Sequence, residues 1–493
     1  MAIKRYYASE DNTITNAFEE NLITRGTGSN MGAADILEAF VIHGQTSASI
    51  DADNAEQSRI IVRFPVDDII NDISAGIIPS SSVDYRLKLF NAPHGNSLPL
   101  SYSLDVHTIS ASWSEGTGLD MENYTDLGAS NWVSASATSA WVRQGGDFFT
   151  DTANKTSYFF SGGAEDLDVD VSNAVSKWRS GENKNYGFII KNTDEAISGT
   201  LGTFFTKKFF ARNSEYFFKR PYIEARWDSS RRDDRGSAYR SSSLAPGEDN
   251  INTVFLYNTI RGKFKDIPNL LGDAQNILVS FYSGSADGSP VGSRVRVINS
   301  SGQSVTNITG GLLIENGINV TGTYSASFAY TSSYDILHDV WHSSSVEFFT
   351  GSITTVAQEP QTVVYEEEYV TQITNLKPSY IKGQKPVLRV FARDKNWQPN
   401  VYNVVNTEVS PSIIENGFYR IIRTVDNLEV VPFGTGSTEY TKLSYDISGN
   451  YFELDSTLLE SGFSYNIQFL YHVNGVYKQQ EENFKFRIDE SGT

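Results

Sequence analysis

The sequence predicts an all-β protein built from several sandwich domains. Many short segments alternate polar and apolar residues, as in Asp84–Phe90 and Val387–Phe391, and a strand with one buried face has this period of two. Turn-forming residues such as Gly288, Pro290 and Gly449 separate these segments. Short alternating strands divided by frequent turns are typical of β-sandwiches and jelly rolls.

Length and composition limit the class of protein further. The chain has 493 residues, and at about 100–200 residues per domain this length predicts several domains. The absence of cysteine excludes disulfides, thiolate metal ligands and cysteine nucleophiles. The net charge of -19 argues against nucleic acid or an anionic membrane as the main partner.

Neither a signal peptide nor membrane insertion is expected. The polar residues Ser9, Glu10 and Asp11 interrupt the N-terminal segment before an apolar stretch can form. A membrane-spanning helix needs about 18 or more consecutive apolar residues, and the sequence has no such run. The expected site of synthesis is therefore the cytoplasm.

Composition also predicts the domain boundaries. Residues 1–227 form a large N-terminal jelly-roll or β-sandwich domain, and residues 228–250, rich in Ser, Arg, Asp and Gly, form a linker or a long exposed loop. Residues 251–358 and 362–490 have the length of immunoglobulin-like (Ig-like) sandwiches. A short helix is predicted at Ser172–Arg179, ended by Gly181 with Ser172 as its N-cap, and a single helical turn at Val66–Ile70.

The N-terminal region resembles the DNRLRE family of β-sandwich domains, which is related to a family of carbohydrate-binding modules. The resemblance covers the first 227 residues, and their last part, Phe217–Glu224, keeps the terminal signature of the family only weakly. It implies a β-sandwich fold for this region. The segments that carry it are, in chain order, Tyr7–Ile14, Gly26–Gly32, Arg59–Phe64, Asp67–Ile69, Tyr85–Leu89, Trp113–Gly116, Leu167–Val171, the helix with Trp178, and Asn185–Ile190.

The whole chain is similar to structural proteins of marine tailed bacteriophages, including cyanophages. The similarity implies a virion protein that is made in the host cytoplasm, has other virion proteins as partners, and works as a homo-oligomer or in a repeated array. The strings that carry it are Asn21–Gly26, Arg220–Trp227, Gly322–Phe328, Gly449–Asp455 and Phe484–Asp489.

Motifs for catalysis or metal binding are weak, so no catalytic residue, metal or cofactor is predicted. The Gly-x-Ser-x-Gly nucleophile motif does not occur. The alternating carboxylates Asp166, Asp168 and Asp170 have the spacing of early calcium-loop ligands. In a strand, however, they form one solvated face. A second acidic loop, with Asp51, Asp53 and Asn54, is a weak candidate for calcium. His338 and His342 could share one face of a helix or strand, but a zinc site needs further ligands.

Two features instead suggest contacts with partners. Adjacent aromatics such as Phe209 and Phe210 must face opposite ways in a strand, so either both faces are covered or one face meets a partner. The only basic cluster of this acidic chain lies around the predicted linker, and guanidinium groups can grip the carboxylates of a neighbouring subunit in bidentate fashion. The predicted docking residues are Arg226, Arg231, Arg232, Arg235 and Arg240.

The sequence therefore favours a non-enzymatic virion structural protein, placed at the neck, tail, fibre or capsid surface. It would act by presenting β-domains and docking to other subunits. The alternative is a carbohydrate-binding adhesin that recognises host surface glycans, suggested by the N-terminal resemblance and by the many Trp and Tyr residues.

Overall fold

The computed structural model describes residues 2–42, 55–95, 100–125, 128–195, 204–270, 272, 274–284, 290–358, 360, 367–397 and 411–490. Strands dominate this part of the chain and the helices are short, which confirms the predicted all-β fold. The chain divides into two compact units, Ala2–Trp227 and Asp228–Thr493. Among the described residues, no helix is long and apolar enough to cross a bilayer.

The first unit is a sandwich of antiparallel sheets. Its strands are β1 (Ile3–Tyr7), β2 (Glu10–Thr15), β3 (Ser29–Asn30), β4 (Ile36–Ile42), β5 (Glu56–Arg63), β6 (Asp84–Leu89), β7 (Tyr102–Thr108), β8 (Asp120–Thr125), β9 (Ser134–Ser136), β10 (Ser139–Ala140), β11 (Lys155–Phe160), β12 (Leu167–Asp170), β13 (Phe188–Asn192), β14 (Phe204–Phe210) and β15 (Tyr222–Arg226). Strands β3 and β8 form one small two-stranded sheet and β9 and β10 another. Of the two large sheets, one has the order β1-β15-β6-β12. The other has the order β11-β7-β13-β5-β4-β14, with β2 also paired to β5.

Burial in β6 follows the predicted alternation, whereas burial in β5 does not. Tyr85, Leu87 and Leu89 are buried and their neighbours on β6 are partly exposed. In β5, the consecutive Ile60, Ile61 and Val62 are all 0% exposed. Both faces of β5 are therefore covered.

The long connection between β7 and β11 supplies the second cover. Its tryptophans pack against isoleucines of three neighbouring strands of the larger sheet, so the outer face of that sheet is a second small core. The core members are Ile14, Ile61, Ile109, Trp113, Trp132, Ala135, Trp141 and Ile189.

The two α-helices in the described part of this unit are α1 (Val66–Ser74) and α2 (Ser172–Ser180). Gly181 ends α2 in the left-handed conformation, with φ of 75°, as predicted. The predicted N-cap role of Ser172 is wrong, because Val171 holds the cap position and the Ser172 hydroxyl accepts a hydrogen bond from the backbone N–H of Tyr85. Helix α1 is nine residues long and so exceeds the predicted single turn.

The second unit contains a large ten-stranded sheet. Its strands, with the small hairpin β18–β19, are β16 (Ala238–Tyr239), β17 (Ile251–Tyr257), β18 (Thr259–Ile260), β19 (Lys263–Phe264), β20 (Ile277–Gly284), β21 (Pro290–Val295), β22 (Val297–Ile298), β23 (Ser304–Val305), β24 (Asn307–Glu315), β25 (Ile318–Ala329), β26 (Ile336–Ser343) and β27 (Val346–Val356). The order is β16-β27-β26-β20-β24-β25-β22-β23, with β17 on β25 and β21 on β20. Side chains from almost all of these strands meet in one apolar core, including Phe281, Tyr324 and Trp341.

The remainder of this unit is an Ig-like sandwich of two sheets. Its strands are β28 (Tyr369–Ile373), β29 (Ser379–Ile381), β30 (Val387–Asp394), β31 (Gly417–Arg423), β32 (Glu429–Val431), β33 (Ser444–Asp446), β34 (Gly449–Glu453), β35 (Ser464–Val473), β36 (Val476–Gln479) and β37 (Phe484–Asp489). The orders are β28-β30-β34-β33 and β29-β37-β35-β31-β32, with β36 on β35. Tyr419 of one sheet stacks on Phe452 of the other at 4.2 Å between ring centroids.

Candidate interaction site

The arginine-rich segment that the composition assigns to a linker or exposed loop is largely paired and packed. We call residues 231–240 the strap. The strap runs along one edge strand of the Ig-like sandwich and then along one edge strand of the ten-stranded sheet. It therefore belongs to the packing of the second unit.

The first half of the strap extends the sheet that ends at β33. Arg232 forms a parallel bridge with Tyr445. The backbone N–H of Tyr445 donates to the carbonyl of Arg231 at 3.0 Å, and the N–H of Asp233 donates to the carbonyl of Tyr445 at 3.1 Å. These bonds use backbone groups of β33 that would otherwise form an open sheet edge.

The second half of the strap covers the edge of β27. Strand β16 pairs with it in parallel, with Ala238 opposite Thr355 and Tyr239 opposite Val356. The N–H of Arg240 continues the pairing with a 2.8 Å bond to the carbonyl of Val356. The side chain of Ala238 is completely buried in the core of the large sheet.

A buried ion pair fixes the strap between its two halves. The Nη1 atom of Arg235 lies 2.6 Å from both carboxylate oxygens of Asp339, and Nη2 donates to the carbonyl of Phe255 at 2.8 Å. The indole N–H of Trp341 donates to Asp339 at 2.7 Å. Asp339 is 0% exposed, so its charge depends on these donors.

Close packing at this ion pair requires a glycine on β27. A Cβ atom at Gly351 would lie 2.1 Å from Nη1 of Arg235 and 2.7 Å from Oδ1 of Asp339. No side chain fits at these distances, so the absence of a side chain at Gly351 leaves space for the guanidinium.

The other predicted docking arginines occupy different environments. Arg231 binds both oxygens of Glu315, with 2.7 Å from Nη2 to Oε2. Arg240 pairs with Asp335. Arg226 lies on β15 in the first unit, where its Nε donates to Glu224 at 2.7 Å. Arg232 is exposed, and its charge acts to lower the pKa of Asp234 and of Tyr445.

Two consecutive carboxyl groups, Asp233 and Asp234, belong to the strap itself. Asp234 accepts hydrogen bonds from the hydroxyl of Tyr445 and from the N–H of Thr253, each at 2.7 Å. Burial raises the pKa of Asp233 to about 7, although the nearby guanidinium of Arg235 acts in the opposite direction. Burial also raises the pKa of Asp234. The site therefore combines buried cations with carboxyl groups that resist ionisation.

A third acidic group anchors the end of the strap. The hydroxyl of Tyr239 donates to Oε1 of Glu415 at 2.8 Å. Together with Tyr445, this contact ties the strap to the Ig-like sandwich by side chains as well as by backbone. The strap thus connects both halves of the second unit.

Sequence reasoning identified the arginines but missed their internal partners. The sequence does contain one indication of a buried carboxylate. Alternation on β26 places Asp339 on the same face as the apolar Leu337 and Trp341. A carboxylate in such a row must be neutralised or hydrogen-bonded. The sequence does not indicate that the cation comes from a residue 104 positions away.

The histidines predicted as a possible metal pair are strand residues. His338 and His342 lie on β26 and are buried, 3% and 8% exposed. Their ring nitrogens bond to the carbonyl of Gly351 at 3.2 Å and to the hydroxyl of Ser280 at 2.8 Å. Among the residues that the structure describes, no group of three or more His, Cys, Asp or Glu side chains could hold a metal ion.

The alternating carboxylates near β12 are engaged in internal contacts. Asp168 pairs with Nε of Arg86 at 2.8 Å and with Nζ of Lys88 at 3.0 Å. Asp166 and Asp170 accept hydrogen bonds from nearby backbone N–H groups. The predicted acidic loop with Asp51, Asp53 and Asn54 lies outside the described residues.

The double-sided aromatic strand β14 has both faces covered at its end. Phe209 is 0% exposed and packs towards Phe160. Phe210 points the other way and is 9% exposed, beneath the ring of Tyr216 at 5.4 Å. Of the two possibilities, coverage of both faces within the chain therefore holds for this pair.

Comparisons with known proteins find no related sequence and only weak structural similarities. No protein-family model and no curated protein matches the chain. Among solved structures, it is similar to the N-terminal Ig1-2 module of the Drosophila receptor protein tyrosine phosphatase DLAR, at 9% identity over 52% of this chain and 96% of that one, with a TM-score of 0.15. It is also similar to the Yersinia pseudotuberculosis adhesin InvE, at 10% identity over 51% of this chain and 56% of that one, with a TM-score of 0.16.

A third similarity is to domains 4 and 5 of the S-layer protein SbsC. The identity is 10%, over 43% of this chain and 98% of that one, and the TM-score is 0.15. At such low TM-scores these similarities say nothing about partners or activity.

Proposed function

We propose that this chain is a non-enzymatic structural protein of a bacteriophage virion, which presents β-domains and docks to other virion proteins. The observation that supports the proposal best is the strap, because it joins a large sheet and an Ig-like sandwich through paired strand edges and a buried ion pair. Rigid coupling of this kind suits a subunit that must hold its domains in fixed positions. The resemblance to tailed-phage structural proteins supplies the viral context.

Mass spectrometry of purified virions tests this proposal directly. We expect the chain in constant stoichiometry to the major capsid protein across independent preparations. Partial disassembly of the particles would then assign it to the neck, tail, fibre or capsid surface. Absence from washed virions would overturn the proposal.

The proposed partners include further copies of the chain. The predicted docking arginines must be tested one at a time, because some of them form ion pairs inside the fold. Charge reversal of Arg231 or Arg235 would break an internal ion pair and so disturb folding as well as docking. Arg232 is exposed, so its reversal should disturb the fold least of the three. It is therefore the residue on which a docking role of the cluster is best tested.

The glycan-binding alternative has less support from the positions of the aromatic side chains. Trp113, Trp132, Trp141 and Trp178 are each 5% exposed or less. Trp397 is 37% exposed. Rings that stack on sugars must be accessible, and the buried tryptophans instead fill cores. Binding of the full chain on an array of host polysaccharides would revive this alternative.

A further inference from the structure

One lysine of the first unit is completely buried on the aromatic strand β14. Lys207 is 0% exposed, and its Nζ atom lies 4.9 Å from the ring centroid of Phe160 and 5.1 Å from that of Phe209. Lysine is rarely fully buried without a charged partner. In the part of the chain that the structure describes, however, the hydrogen bonds of this amine all go to neutral oxygens. The position therefore calls for a reason other than charge pairing.

Three neutral oxygens surround the amine. Nζ donates to Oδ1 of Asn91 at 2.6 Å, to the carbonyl of Gly163 at 2.8 Å and to the carbonyl of Glu165 at 2.7 Å. When the ammonium loses one proton, its two remaining N–H groups suffice for the two backbone carbonyls, and the lone pair can face the side-chain amide of Asn91. Because a C=O bond is about 1.2 Å long, Cγ of Asn91 lies within about 3.8 Å of Nζ, near the separation of about 3–3.5 Å at which atoms react.

The backbone holds Asn91 in this position. Asn91 follows the end of β6 and forms an antiparallel bridge with Phe209 on β14. The N–H of Ala92 donates to the carbonyl of Lys208 at 2.9 Å, and the N–H of Asn91 donates to Oδ1 of Asp166 at 2.7 Å. The amine and the amide are therefore placed side by side by strand pairing, which favours a reaction between them.

Burial also prepares the amine to act as a nucleophile. It lowers the pKa of Lys207 to about 8, although the carboxylates of Asp166 and Glu165 act in the opposite direction. A larger fraction of this lysine is therefore neutral than of an ordinary surface lysine at the same pH. Only the neutral amine has a lone pair to donate.

We propose that Lys207 and Asn91 form an intramolecular isopeptide bond, which covalently joins β14 to the chain at the end of β6. The neutral Nζ attacks Cγ of Asn91, and the new N–C bond forms while the π electrons of the carbonyl move onto Oδ1. One proton passes from Nζ to Nδ2, the Cγ–Nδ2 bond breaks, and its electron pair leaves with ammonia as the C=O bond forms again. The step releases one ammonia and requires neither an oxidant nor a cofactor.

The bond supplies a covalent crosslink to a chain that has no cysteine. Strand β6 belongs to one of the two large sheets of the first unit, and β14 lies at the edge of the other. The crosslink therefore connects the two sheets of the sandwich. Its ends are 116 positions apart, and a crosslink that closes a long loop restricts the unfolded chain strongly. This inference does not depend on the proposed function.

The intact mass of the full-length protein tests the proposal. After incubation at about pH 9, above the lysine pKa of about 8, we expect a mass lower than that of the amino-acid sequence by one molecule of ammonia. Proteolysis should yield a branched peptide that contains both Asn91 and Lys207, and trypsin should not cleave after Lys207. An unchanged mass overturns the proposal and leaves Lys207 as a structural lysine only.

Two matched variants assign the lost ammonia. Lys208→Met should keep the loss, because Nζ of Lys208 bonds to Glu38 at 2.7 Å, whereas Lys207→Met should have the full mass of its sequence. Asparagine before glycine, as at Asn316 and Gly317, also releases ammonia when its side chain cyclises onto the backbone. A loss that persists in Lys207→Met, or that maps to such a step, overturns the proposal. The branched peptide of the wild type decides the question even if Lys207→Met does not fold.

Discussion

Two arginines of the predicted docking cluster, the half-buried Arg226 and the buried Arg235, illustrate different ways of placing charge inside a β-protein. In the first unit, Glu224 accepts hydrogen bonds from Arg226 on its own strand and from Arg5 on the adjacent strand, both at 2.7 Å. In the second unit, Arg235 reaches Asp339 from a short 3-10 helix, Asp234–Gly236, far away in sequence. The first pairing follows from strand register, while the second depends on how the strap lies across the sheet.

The difference bears on which changes the fold tolerates. Glu224 has two cationic partners, so the loss of one leaves another in place. Asp339 has a single guanidinium, assisted by the neutral indole of Trp341. Removal of the arginine therefore affects the second site more strongly.

The largest effect is expected for Arg235→Met. The substitution leaves Asp339 buried without its cation, and breaking a buried ion pair lowers the free energy of unfolding by about 3–5 kcal/mol. Chemical denaturation of the full chain, followed by a probe in the second unit, measures the change. Arg232→Met is the control, because an exposed substitution should stay within about 0.5 kcal/mol. Equal stability of the two variants would contradict the role given to the ion pair.

A smaller loss is expected for Arg226→Met in the first unit. Glu224 keeps its ion pair with Arg5, and the lost hydrogen bond to a charged group contributes about 1.5–3 kcal/mol. Chemical denaturation of the full chain measures the change. Burial alone would raise the pKa of Glu224, but Arg5 and Arg226 outweigh it and lower this pKa to about 2. The wild type should therefore lose stability as the pH falls from 4.5 towards 2, because the depressed pKa stabilises only the ionised fold.

The pH profile of the variant Glu224→Gln checks that assignment. Glu224→Gln cannot titrate at this position, so its unfolding free energy should vary less than that of the wild type in this acidic range. Parallel profiles for the two proteins would show that Glu224 is not the group responsible.

Asp233 should produce the opposite pH dependence in the second unit. Its pKa of about 7 in the fold exceeds the ordinary value of 3.8, so the folded state holds a proton that the unfolded state has lost. Stability should fall as pH rises from 3.8 to 7. Asp233→Asn should be more stable than the wild type at pH 8, by on the order of 1 kcal/mol, and similar to it at pH 3.5. Denaturation curves at the two pH values decide this.

The smallest effect on stability is expected for Arg232→Glu. This side chain is exposed, so unfolding should change within about 0.5 kcal/mol. If Arg232 docks to an acidic neighbour, the reversal should weaken self-association measured by analytical ultracentrifugation at low salt. The difference from the wild type should shrink above about 0.1 M salt, where the screening length is about 10 Å. Unchanged association at low salt would remove Arg232 from any interface.

The comparison of the two arginines also shows what the sequence could predict. Alternation identified β6 and β12, and cross-strand charge pairs such as Arg86 with Asp168 follow once those strands are adjacent. The candidate site was predicted by composition as an arginine cluster. Composition could not show that Arg235 is 9% exposed, because arginine is usually a surface residue and its partner lies on a distant strand.

The sequence by itself determined the all-β class, since the period of two and the frequent turns are local properties that each strand carries alone. Only the tertiary structure decided that both faces of Ile60–Val62 are covered and that residues 231–240 close two sheet edges. These outcomes depend on which distant segments meet. Unpaired backbone groups at a sheet edge accept any suitable strand, and the side chains of Arg235 and Tyr239 select the strap for this position.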